Sequence, residues 1–397
     1  MFALALAALA VRGYVVPVSD PLLYFSEHNW ARSATSATTV NPGAYLKFSV
    51  TDQTQQIEIR TLPVDGGSSN GTEYLHVLYS VGGWDLVEVA MYTNTSSIIL
   101  PAEHLNPGGA TTDVILYIYN SMQSRERWTQ VGSANGAALI VTGVVLDAGA
   151  KLTATKVTPL RSKRCLFFGD SITEGVASQC VRDPTCVGEG DLCNNAATKT
   201  WGTAVAAALD CEYSQVGFGG LGWSVSGGGG VVPLFTPGNP AESSWNQHFA
   251  GAPRSFANLD YIFVLHATND GLRAGNASIA AVTASATAWL TAQRAAAGAA
   301  TDIFLTVPFG GFGANLAPAG SLKAAFDAYQ AAAKEPKTHF IDMGASASKG
   351  LTHFGFSSIE SCGGIHPRGG TQYTARHGEL GAMVAVHAVR AMAGMLS

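Results

Sequence analysis

Charged residues are scarce in this sequence. Lys and Arg number 23 and Asp and Glu 28, so charged residues make up 13% of the 397 positions, about half of the usual share. The net charge is -5 and no basic run occurs. Nucleic-acid binding needs clustered Lys and Arg that displace counterions from phosphates, so nucleic acid is excluded as a partner. The hydrophobic share of 47% provides ample core for a folded chain, and two domains are expected at this length.

Long apolar runs are also missing. No segment reaches the roughly 18 uninterrupted apolar residues of a transmembrane helix. The short apolar run Met1–Ala10 resembles the core and the small-residue cleavage site of a signal peptide, although it lacks a basic start, so residues 1–15 are a candidate signal peptide. Three glycosylation sequons, at Asn70, Asn94 and Asn276, fit secretion but also occur by chance. We expect a secreted protein without a membrane span.

Close cysteine pairs, such as those of structural zinc sites, do not occur. Cys180, Cys186 and Cys193 follow one another at spacings of six and seven residues in a polar stretch. Such spacing speaks against zinc and favours disulfides that pin a long loop in an oxidising compartment. The pairing cannot be deduced from the sequence. Cys165 lies in an apolar run, which leaves a buried free thiol as an interpretation of that residue.

Helical periodicity is missing from about the first 160 residues. Segments such as Tyr45–Val50 and Gln56–Arg60 alternate polar and apolar residues, as half-buried strands do. Gly- and Asn-rich turns separate these segments. Residues 16–160 are therefore predicted to form an all-β, jelly-roll-like antiparallel sandwich.

From residue 161 onward, strands and helices alternate. Cys165–Phe168 is a continuous apolar run, typical of a strand covered on both faces. Further strands are predicted at 212–216, 261–265, 303–307 and 339–341, and helices at 201–209, 278–297, 322–333 and from 367 to 392. This alternation predicts a three-layer α/β/α domain with a parallel sheet over residues 161–397. Functional groups in such sheets belong at the carboxyl ends of the strands.

The residues with catalytic chemistry follow these predicted strands. Ser171 comes directly after the first strand, in the turn Gly-Asp-Ser-Ile-Thr-Glu-Gly at 169–175. This position exposes a hydroxyl at the rim of the sheet, although capping the next helix is the alternative role for a serine there. The Gly-rich segment 217–222 follows the second strand, Asn269 follows the third, and His366 precedes the last helix. A serine, backbone amides, a side-chain amide and an imidazole are the groups that acyl transfer requires.

These four segments resemble the first, second, third and fifth sequence blocks of the SGNH, or GDSL, hydrolase superfamily. The resemblance covers residues 161–397 and implies an ester hydrolase with the SGNH fold. It makes Ser171 the nucleophile and His366 the general base. It implies an oxyanion hole built from the Ser171 N–H, the Gly220 N–H (with Gly219 as the alternative) and the Asn269 amide. No metal or organic cofactor is implied, because every group in this mechanism belongs to the protein.

Two positions depart from the pattern of the superfamily. Ala267 stands where the third block usually begins with Gly. Gly363 stands three residues before His366, where the family usually has the Asp that orients the histidine. Three outcomes follow: a backbone carbonyl holds His366 in a Ser–His dyad, Glu360 reaches it from a shifted loop, or the site is inactive. We favour the dyad, because the base and the oxyanion hole remain.

A sandwich ahead of an SGNH domain is similar to carbohydrate esterase family 2, in which some members also replace the Asp. This resemblance implies the removal of acetyl groups from polysaccharides or oligosaccharides, which makes an acetylated carbohydrate the expected partner. Trp223 and Trp245 are candidates for stacking on sugar rings, although core packing is the commoner role of a tryptophan. The alternatives are a lipase or thioesterase acting on other acyl esters and a glycan-binding protein whose catalytic site has decayed. The oligomeric state is not predicted.

Overall fold

The computed structural model describes most of the chain. The described residues are 13–53, 55–64, 71–101, 103, 105, 111–154, 160–179, 192–239, 242–273, 278–308, 318–342, 361–362, 366–367 and 376–394. Within these ranges, no helix combines the length and the apolar character needed to cross a membrane.

The N-terminal part of the chain forms two antiparallel sheets. Their strands are β1 Tyr14–Pro17, β2 Tyr24–Phe25, β3 Ala31–Arg32, β4 Ala37–Thr39, β5 Tyr45–Thr51, β6 Ile57–Thr61, β7 Glu73–Val81, β8 Val87–Tyr92, β9 Ser97–Leu100, β10 Thr112–Ser121, β11 Leu139–Leu146 and β12 Lys151–Thr153. One six-stranded sheet has the order β3-β4-β11-β6-β9, with β1 also paired to β11. The other has the order β12-β5-β10-β7-β8, with β2 paired to β5. The predicted antiparallel sandwich is confirmed.

Strand β6 shows how the sequence pattern produces this sandwich. Ile57 and Ile59 are buried, whereas Glu58 is half-buried and Arg60 is exposed, because successive side chains of a strand point to opposite faces. The two isoleucines share one hydrophobic cluster with Phe48 of β5, which belongs to the other sheet. Full burial of one such side chain contributes about 1.5–3 kcal/mol, so this shared core holds the sheets together.

Strand β1 begins before the expected start of the sandwich at residue 16. Tyr14 pairs with Leu146 of β11, and Val16 is buried in the sandwich core. The backbone pairing therefore extends two residues ahead of the first buried side chain, a feature that apolar periodicity does not reveal. Tyr14 belongs to the sheet. Residues 1–12 of the candidate signal peptide at residues 1–15 lie outside the described residues, and that segment stays a prediction.

The C-terminal part is built on a five-stranded parallel sheet with the order β14-β13-β17-β18-β19. These strands are β13 Lys163–Gly169, β14 Cys211–Gly217, β17 Tyr261–Leu265, β18 Asp302–Thr306 and β19 Thr338–Ile341. Two short hairpins, β15 Gln247–Phe249 with β16 Ala252–Pro253, and β20 Ser361–Cys362 with β21 His366–Pro367, lie outside this sheet. The predicted order of elements is confirmed.

Both faces of the parallel sheet are covered. In β13, Cys165 and Phe167 share a hydrophobic cluster with Trp201, whereas Leu166 and Phe168 share another with Trp289. All of these side chains are buried, because a strand covered on two sides needs apolar residues at every position. The predicted continuous apolar strand is confirmed, and its carboxyl end leads directly to the candidate site.

The helices cover the sheet where the sequence indicates. The short helices are α1 Ser171–Glu174 and α3 Thr268–Arg273, and the longer ones are α2 Trp201–Ala208, α4 Ser278–Ala297, α5 Pro318–Ala333 and α6 Arg376–Met392. Helices α2 and α6 pack together on one face, and α4 and α5 on the other. Helix α5 begins at Pro318 rather than at Leu322, since proline suits the first position of a helix. Helix α6 begins at Arg376, and residues 368–375 lie outside the described residues.

Cys165 is not a free thiol. It forms a disulfide with Cys211, and the two Cα atoms lie 5.9 Å apart on the neighbouring strands β13 and β14. The apolar surroundings that suggested a thiol result from the burial of the whole disulfide in the core beneath α2. Cys193 is also disulfide-bonded, whereas Cys180 and Cys186 lie outside the described residues.

The two parts of the chain contact each other along strand β14. At its start, the Glu212 carboxylate accepts hydrogen bonds from the Tyr45 hydroxyl and from Lys47 Nζ of the sandwich. In its middle, Asn29 of the sandwich exchanges two hydrogen bonds with the Gln215 backbone, and both residues are fully buried. The sandwich is therefore packed against the strand that leads to the Gly-rich segment of the candidate site.

Candidate active site

Ser171 lies where strand β13 ends and helix α1 begins. The residue before it, Asp170, caps this helix, because its carboxylate accepts a hydrogen bond from the Ile172 N–H at 2.9 Å. The alternative role of Ser171 as the helix cap is thereby taken by its neighbour. The Ser171 hydroxyl is free for another contact, and the side chain is 8% exposed at the carboxyl edge of the sheet.

That contact is with His366. The Nε2 atom of His366 lies 2.8 Å from the Oγ atom of Ser171, and both side chains are buried. His366 is held in the short hairpin of β20 and β21, where it pairs with Cys362. The structure therefore brings together two predicted residues that are 195 positions apart. In this geometry an imidazole can accept the hydroxyl proton as oxygen attacks an electrophile.

The Gly-rich segment, residues 217–222, is called the glycine loop below. The Gly219 N–H donates a hydrogen bond of 2.7 Å to the Glu174 carboxylate. Gly220 has a φ of +75°, which glycine adopts at little cost, and it is half-buried. Within the described part of the chain, its N–H donates to no other group. The two glycines are therefore distinguished: the Gly219 N–H is occupied, and that of Gly220 remains open.

Asn269 connects this loop to the residue beside Ser171. It lies at the start of α3, and its Nδ2 atom donates to the Leu221 carbonyl at 3.0 Å and to the Asp170 carboxylate at 3.3 Å. The side chain is buried. The amide therefore lies between the glycine loop and the start of α1, beside the two backbone segments that the sequence assigns to the oxyanion hole.

Asp270 shapes the remainder of the loop. Its carboxylate accepts hydrogen bonds from the Trp223 N–H, the Ser224 N–H and the Ser224 hydroxyl, each at 2.8 Å. A carboxylate with three donors of this kind is a structural anchor and is not available for proton transfer.

Trp223 and Trp245 do not present their rings to a ligand. Trp223 is fully buried and packs edge-on against Trp289, with ring centroids 5.5 Å apart. Trp245 is also buried and stacks on Phe256 at 5.2 Å. The expectation of sugar stacking is replaced by the alternative of core packing, because neither ring has a free face at the surface. Both rings belong to the hydrophobic cluster that covers one face of the parallel sheet.

The Asp170 carboxyl has a raised pKa. Its complete burial raises its pKa to about 6, although the Ile172 N–H and the nearby His366 favour the ionised form. Asp170 therefore contributes a negative charge that grows as the pH rises through this range.

The backbone conformation at Ala267 explains why the superfamily usually has Gly at this position. Its φ is +114°, in the region that L-amino acids rarely adopt, and its methyl group is buried. The backbone turns sharply here between β17 and α3, so that Asn269 reaches the glycine loop. The departure from the family pattern is thus a matter of local backbone strain.

Two positions that the sequence singled out, the candidate Glu360 and the departure Gly363, lie outside the described residues. Glu360 and Gly363 belong to ranges 343–360 and 363–365, about which the structure says nothing. Glu360 therefore stays a prediction as a third member of the site.

A polar cleft lies beside the glycine loop. Its volume is about 580 Å³, and it is lined by sandwich residues that include Ser124, Gln130 and Asn135 and by Gly229–Gly230 of the second domain. The adjacent Gly228 N–H donates to the Gly219 carbonyl at 2.7 Å, which places this cleft next to the loop. Sequence reasoning did not find it, because no motif marks the sandwich side chains that line it.

The fold and the site define a carboxylic ester hydrolase of the SGNH type. The family model of the GDSL-like lipase/acylhydrolase family matches residues 167–369, more than half of the chain. The chain belongs to this family. No curated protein sequence matches it.

Solved structures extend the similarity to the sandwich. A family two carbohydrate esterase from Cellvibrio japonicus matches with 16% identity and a TM-score of 0.68, covering 97% of this chain and 99% of that one. An acetyl xylan esterase from the rumen bacterium Butyrivibrio proteoclasticus matches with 15% identity and a TM-score of 0.66, covering 97% and 100%. A family two carbohydrate esterase from Clostridium thermocellum, solved in complex with cellohexaose, has 13% identity and a TM-score of 0.67, covering 94% and 100%. The resemblance to carbohydrate esterase family 2 is confirmed for the fold.

Proposed function

We propose that this protein is a secreted serine esterase that removes O-acetyl groups from carbohydrates. The observation that carries the proposal is the 2.8 Å contact between His366 Nε2 and Ser171 Oγ at the carboxyl edge of the sheet. Ser171 is the nucleophile and His366 the general base, because a serine hydroxyl needs an adjacent base to attack an ester at neutral pH.

The reaction proceeds in two halves. His366 takes the Ser171 proton while Oγ attacks the acetyl carbonyl carbon, and it then delivers this proton to the sugar oxygen as the ester bond breaks. A water molecule next attacks the acetyl-serine, giving its proton to His366, which returns it to Ser171 as acetate leaves. Both halves are balanced, with water as the co-substrate of the second half.

The oxyanion of each tetrahedral intermediate accepts hydrogen bonds from Ser171 N–H, Gly220 N–H and Asn269 Nδ2. Gly220 is preferred to Gly219, because the Gly219 N–H already donates to Glu174. Of the two hydrogen bonds of Asn269, the one to Asp170 is the longer at 3.3 Å. That N–H is therefore the one that turns to the oxyanion, while the bond to Leu221 keeps the amide in place.

The Ser–His pair works as a dyad in this proposal. Gly363 cannot supply a carboxylate from the usual position, and Glu360 is not required if a backbone carbonyl orients the ring. The buried Asp170 adds a negative charge near His366 that stabilises the imidazolium formed during attack.

The carbohydrate specificity is supported by the fold and by the polar cleft. Among the structures that match over almost the whole chain are family two carbohydrate esterases and an acetyl xylan esterase. The cleft of about 580 Å³ beside the glycine loop offers hydroxyl and amide side chains that suit the hydroxyl groups of a sugar. Disulfide bonds support secretion, since they persist in oxidising compartments.

A substrate profile tests this proposal. We expect hydrolysis of acetylated sugars and of short 4-nitrophenyl esters, with activity falling steeply as the acyl chain lengthens. Activity on long-chain esters or thioesters without activity on acetylated sugars would establish the lipase or thioesterase alternative. Binding of glycan without hydrolysis of activated acetyl esters would establish the decayed site. His366→Ala is the control for hydrolysis by any contaminant.

A further inference from the structure

Glu174, the last residue of α1, has a carboxylate that is fully engaged in the interior. Arg127 Nη1 donates to Oε1 at 2.5 Å, and Gln123 Nε2 and the Gly219 N–H donate to Oε2 at 2.8 and 2.7 Å. Glu174 is 2% exposed and Arg127 is not exposed at all. Because both of its oxygens accept hydrogen bonds inside the protein, this carboxylate anchors its donors and is not assigned a role as an acid or base in the reaction.

The donors to Glu174 come from two separate parts of the chain. Gln123 and Arg127 follow strand β10 of the sandwich, whereas Gly219 belongs to the glycine loop of the second domain. Glu174 itself lies in the same short helix as Ser171. One carboxylate therefore joins the sandwich, the nucleophile helix and the glycine loop.

Arg127 also contacts the glycine loop, directly at Phe218 and indirectly through residues 228–229. Its guanidinium lies over the ring of Phe218, 5.0 Å from the centroid. Its backbone N–H donates to the Gly229 carbonyl at 2.8 Å, and the neighbouring Gly228 N–H donates to the Gly219 carbonyl at 2.7 Å. The sandwich thus contacts the glycine loop at Phe218 and is linked to the Gly219 carbonyl through Gly228 and Gly229.

There is little space for the loop to take another course. A Cβ atom on Gly217 would lie 2.5 Å from the Glu174 backbone nitrogen, so the loop and α1 approach closely at that point. A buried ion pair such as Arg127–Glu174 adds little net stability compared with apolar packing, because both charges lose their hydration. What this pair does provide is a defined geometry, since an Arg fork and a carboxylate combine in few orientations.

We propose that Arg127 and Gln123 are positioning residues of the sandwich domain that complete the oxyanion hole through Glu174. By binding Glu174, they hold the Gly219 N–H away from the site, and this orients the next N–H, that of Gly220, toward the oxyanion. The inference rests on the proposed function for its catalytic consequence and on the contacts of Gly219 for its structural part.

Strand β14 ends at the glycine loop, and a matched control lies at its other end. Glu212, at the start of β14, also accepts hydrogen bonds from sandwich side chains, among them Lys47 Nζ at 2.9 Å, and its side chain is buried. Lys47→Met therefore removes a similar interdomain ion pair remote from Ser171. A general weakening of the interface is expected from Lys47→Met and from Arg127→Met alike.

The experiment compares Arg127→Met, Gln123→Leu and Lys47→Met with the wild type by hydrogen exchange and by kinetics on 4-nitrophenyl acetate. We expect faster amide exchange at Gly219 in the first two variants only. We also expect Arg127→Met to lower kcat by about 10- to 100-fold with little change in KM, because displacing an oxyanion donor costs less than removing it. Gln123→Leu, which leaves the ion pair intact, provides a milder variant should Arg127→Met not fold, and Arg127→Lys should recover part of kcat.

The outcomes separate this inference from the proposed function. Unchanged exchange at Gly219 in both Arg127→Met and Gln123→Leu would overturn the inference, whether or not the wild type is an esterase. Faster exchange with wild-type kcat, or an equal loss of kcat in Lys47→Met, would overturn the role in the oxyanion hole. A wild type that hydrolyses no ester would refute the proposed function, while the exchange measurement would still decide the positioning of the loop.

Discussion

The imidazole of His366 and the hydroxyl of Ser171 are in hydrogen-bonding contact, with 2.8 Å between Nε2 and Oγ. In the sequence, the two residues lie near opposite ends of the α/β domain. Ser171 follows β13, and His366 lies in the hairpin before α6. The fold creates this contact because the short hairpin of β20 and β21 brings His366 against helix α1. Several expected consequences of this arrangement can be measured.

Asn269→Ala should lower kcat by about 100- to 1000-fold while KM changes little, because the amide contributes mainly when negative charge develops on the oxyanion. Steady-state kinetics on an acetyl ester measure the effect. Ser224→Ala is the matched control, since it removes a neighbouring hydrogen bond to Asp270 and no proposed oxyanion donor. An equal loss in both variants would mean that Asn269 acts only through the shape of the loop.

Glu360→Ala should have only a small effect on kcat, because the dyad does not use this carboxylate. The comparison is with His366→Ala, which should nearly abolish activity through the loss of the base. If Glu360→Ala reduced activity as strongly as His366→Ala, Glu360 would be the third member of a triad.

Ala267→Gly should not reduce the free energy of unfolding, because glycine adopts the φ of +114° without strain. The relief of about 1–3 kcal/mol offsets the added flexibility of glycine and the loss of one buried methyl group. Thermal or denaturant unfolding measures this. The control is Ala286→Gly in α4, also fully buried, where the same exchange should cost about 1 kcal/mol or more. Equal destabilisation by the two substitutions would contradict strain at Ala267.

Asp170→Asn should change the dependence of stability on pH. Burial raises the pKa of Asp170 to about 6 in the folded protein, above that of an unfolded chain, so folding favours the protonated carboxyl. Compared with Asp170→Asn, the wild type should therefore lose about 3 kcal/mol of unfolding free energy as the pH rises from about 4 to about 8. Asparagine keeps an oxygen for the Ile172 N–H.

Asp302→Asn serves as the control of opposite sign. Burial would raise the pKa of Asp302, but hydrogen bonds from His339 and Lys337 lower it below the usual value. Relative to this variant, the wild type should gain stability as the pH rises through the acidic range. Chemical denaturation at a series of pH values measures both differences. A difference between wild type and Asp170→Asn that stays constant with pH would refute the elevated pKa.

Local patterns predicted much of the fold. Helix α4 has the predicted bounds, and the apolar run Cys165–Phe168 lies within β13, because a doubly covered strand has a distinctive sequence. Ser171 and His366 were predictable because both lie in short sequence motifs, Ser171 at the end of strand β13 and His366 shortly before the last helix.

What the sequence could not show depends on contacts between distant segments. Nothing local distinguishes a Cys165 thiol from one half of a disulfide with Cys211 on the next strand. The burial of Trp223 follows from its packing against Trp289, not from its own neighbours in sequence. Arg127 lies in the segment after β10 with Arg125 and Glu126 beside it, and only the fold reveals that its partner is Glu174. The sequence offered one indication of this contact, namely that Glu174 belongs to the motif at 169–175 that also contains Ser171.

The most direct test of the proposed function is the release of acetate from acetylated xylan and from simple acetylated sugars by the wild type and by Ser171→Ala. The proposal predicts release by the wild type and none above background by the variant, since the variant lacks the hydroxyl that forms the acyl-enzyme in this mechanism. No release by a folded wild type, or equal release by Ser171→Ala, would contradict it.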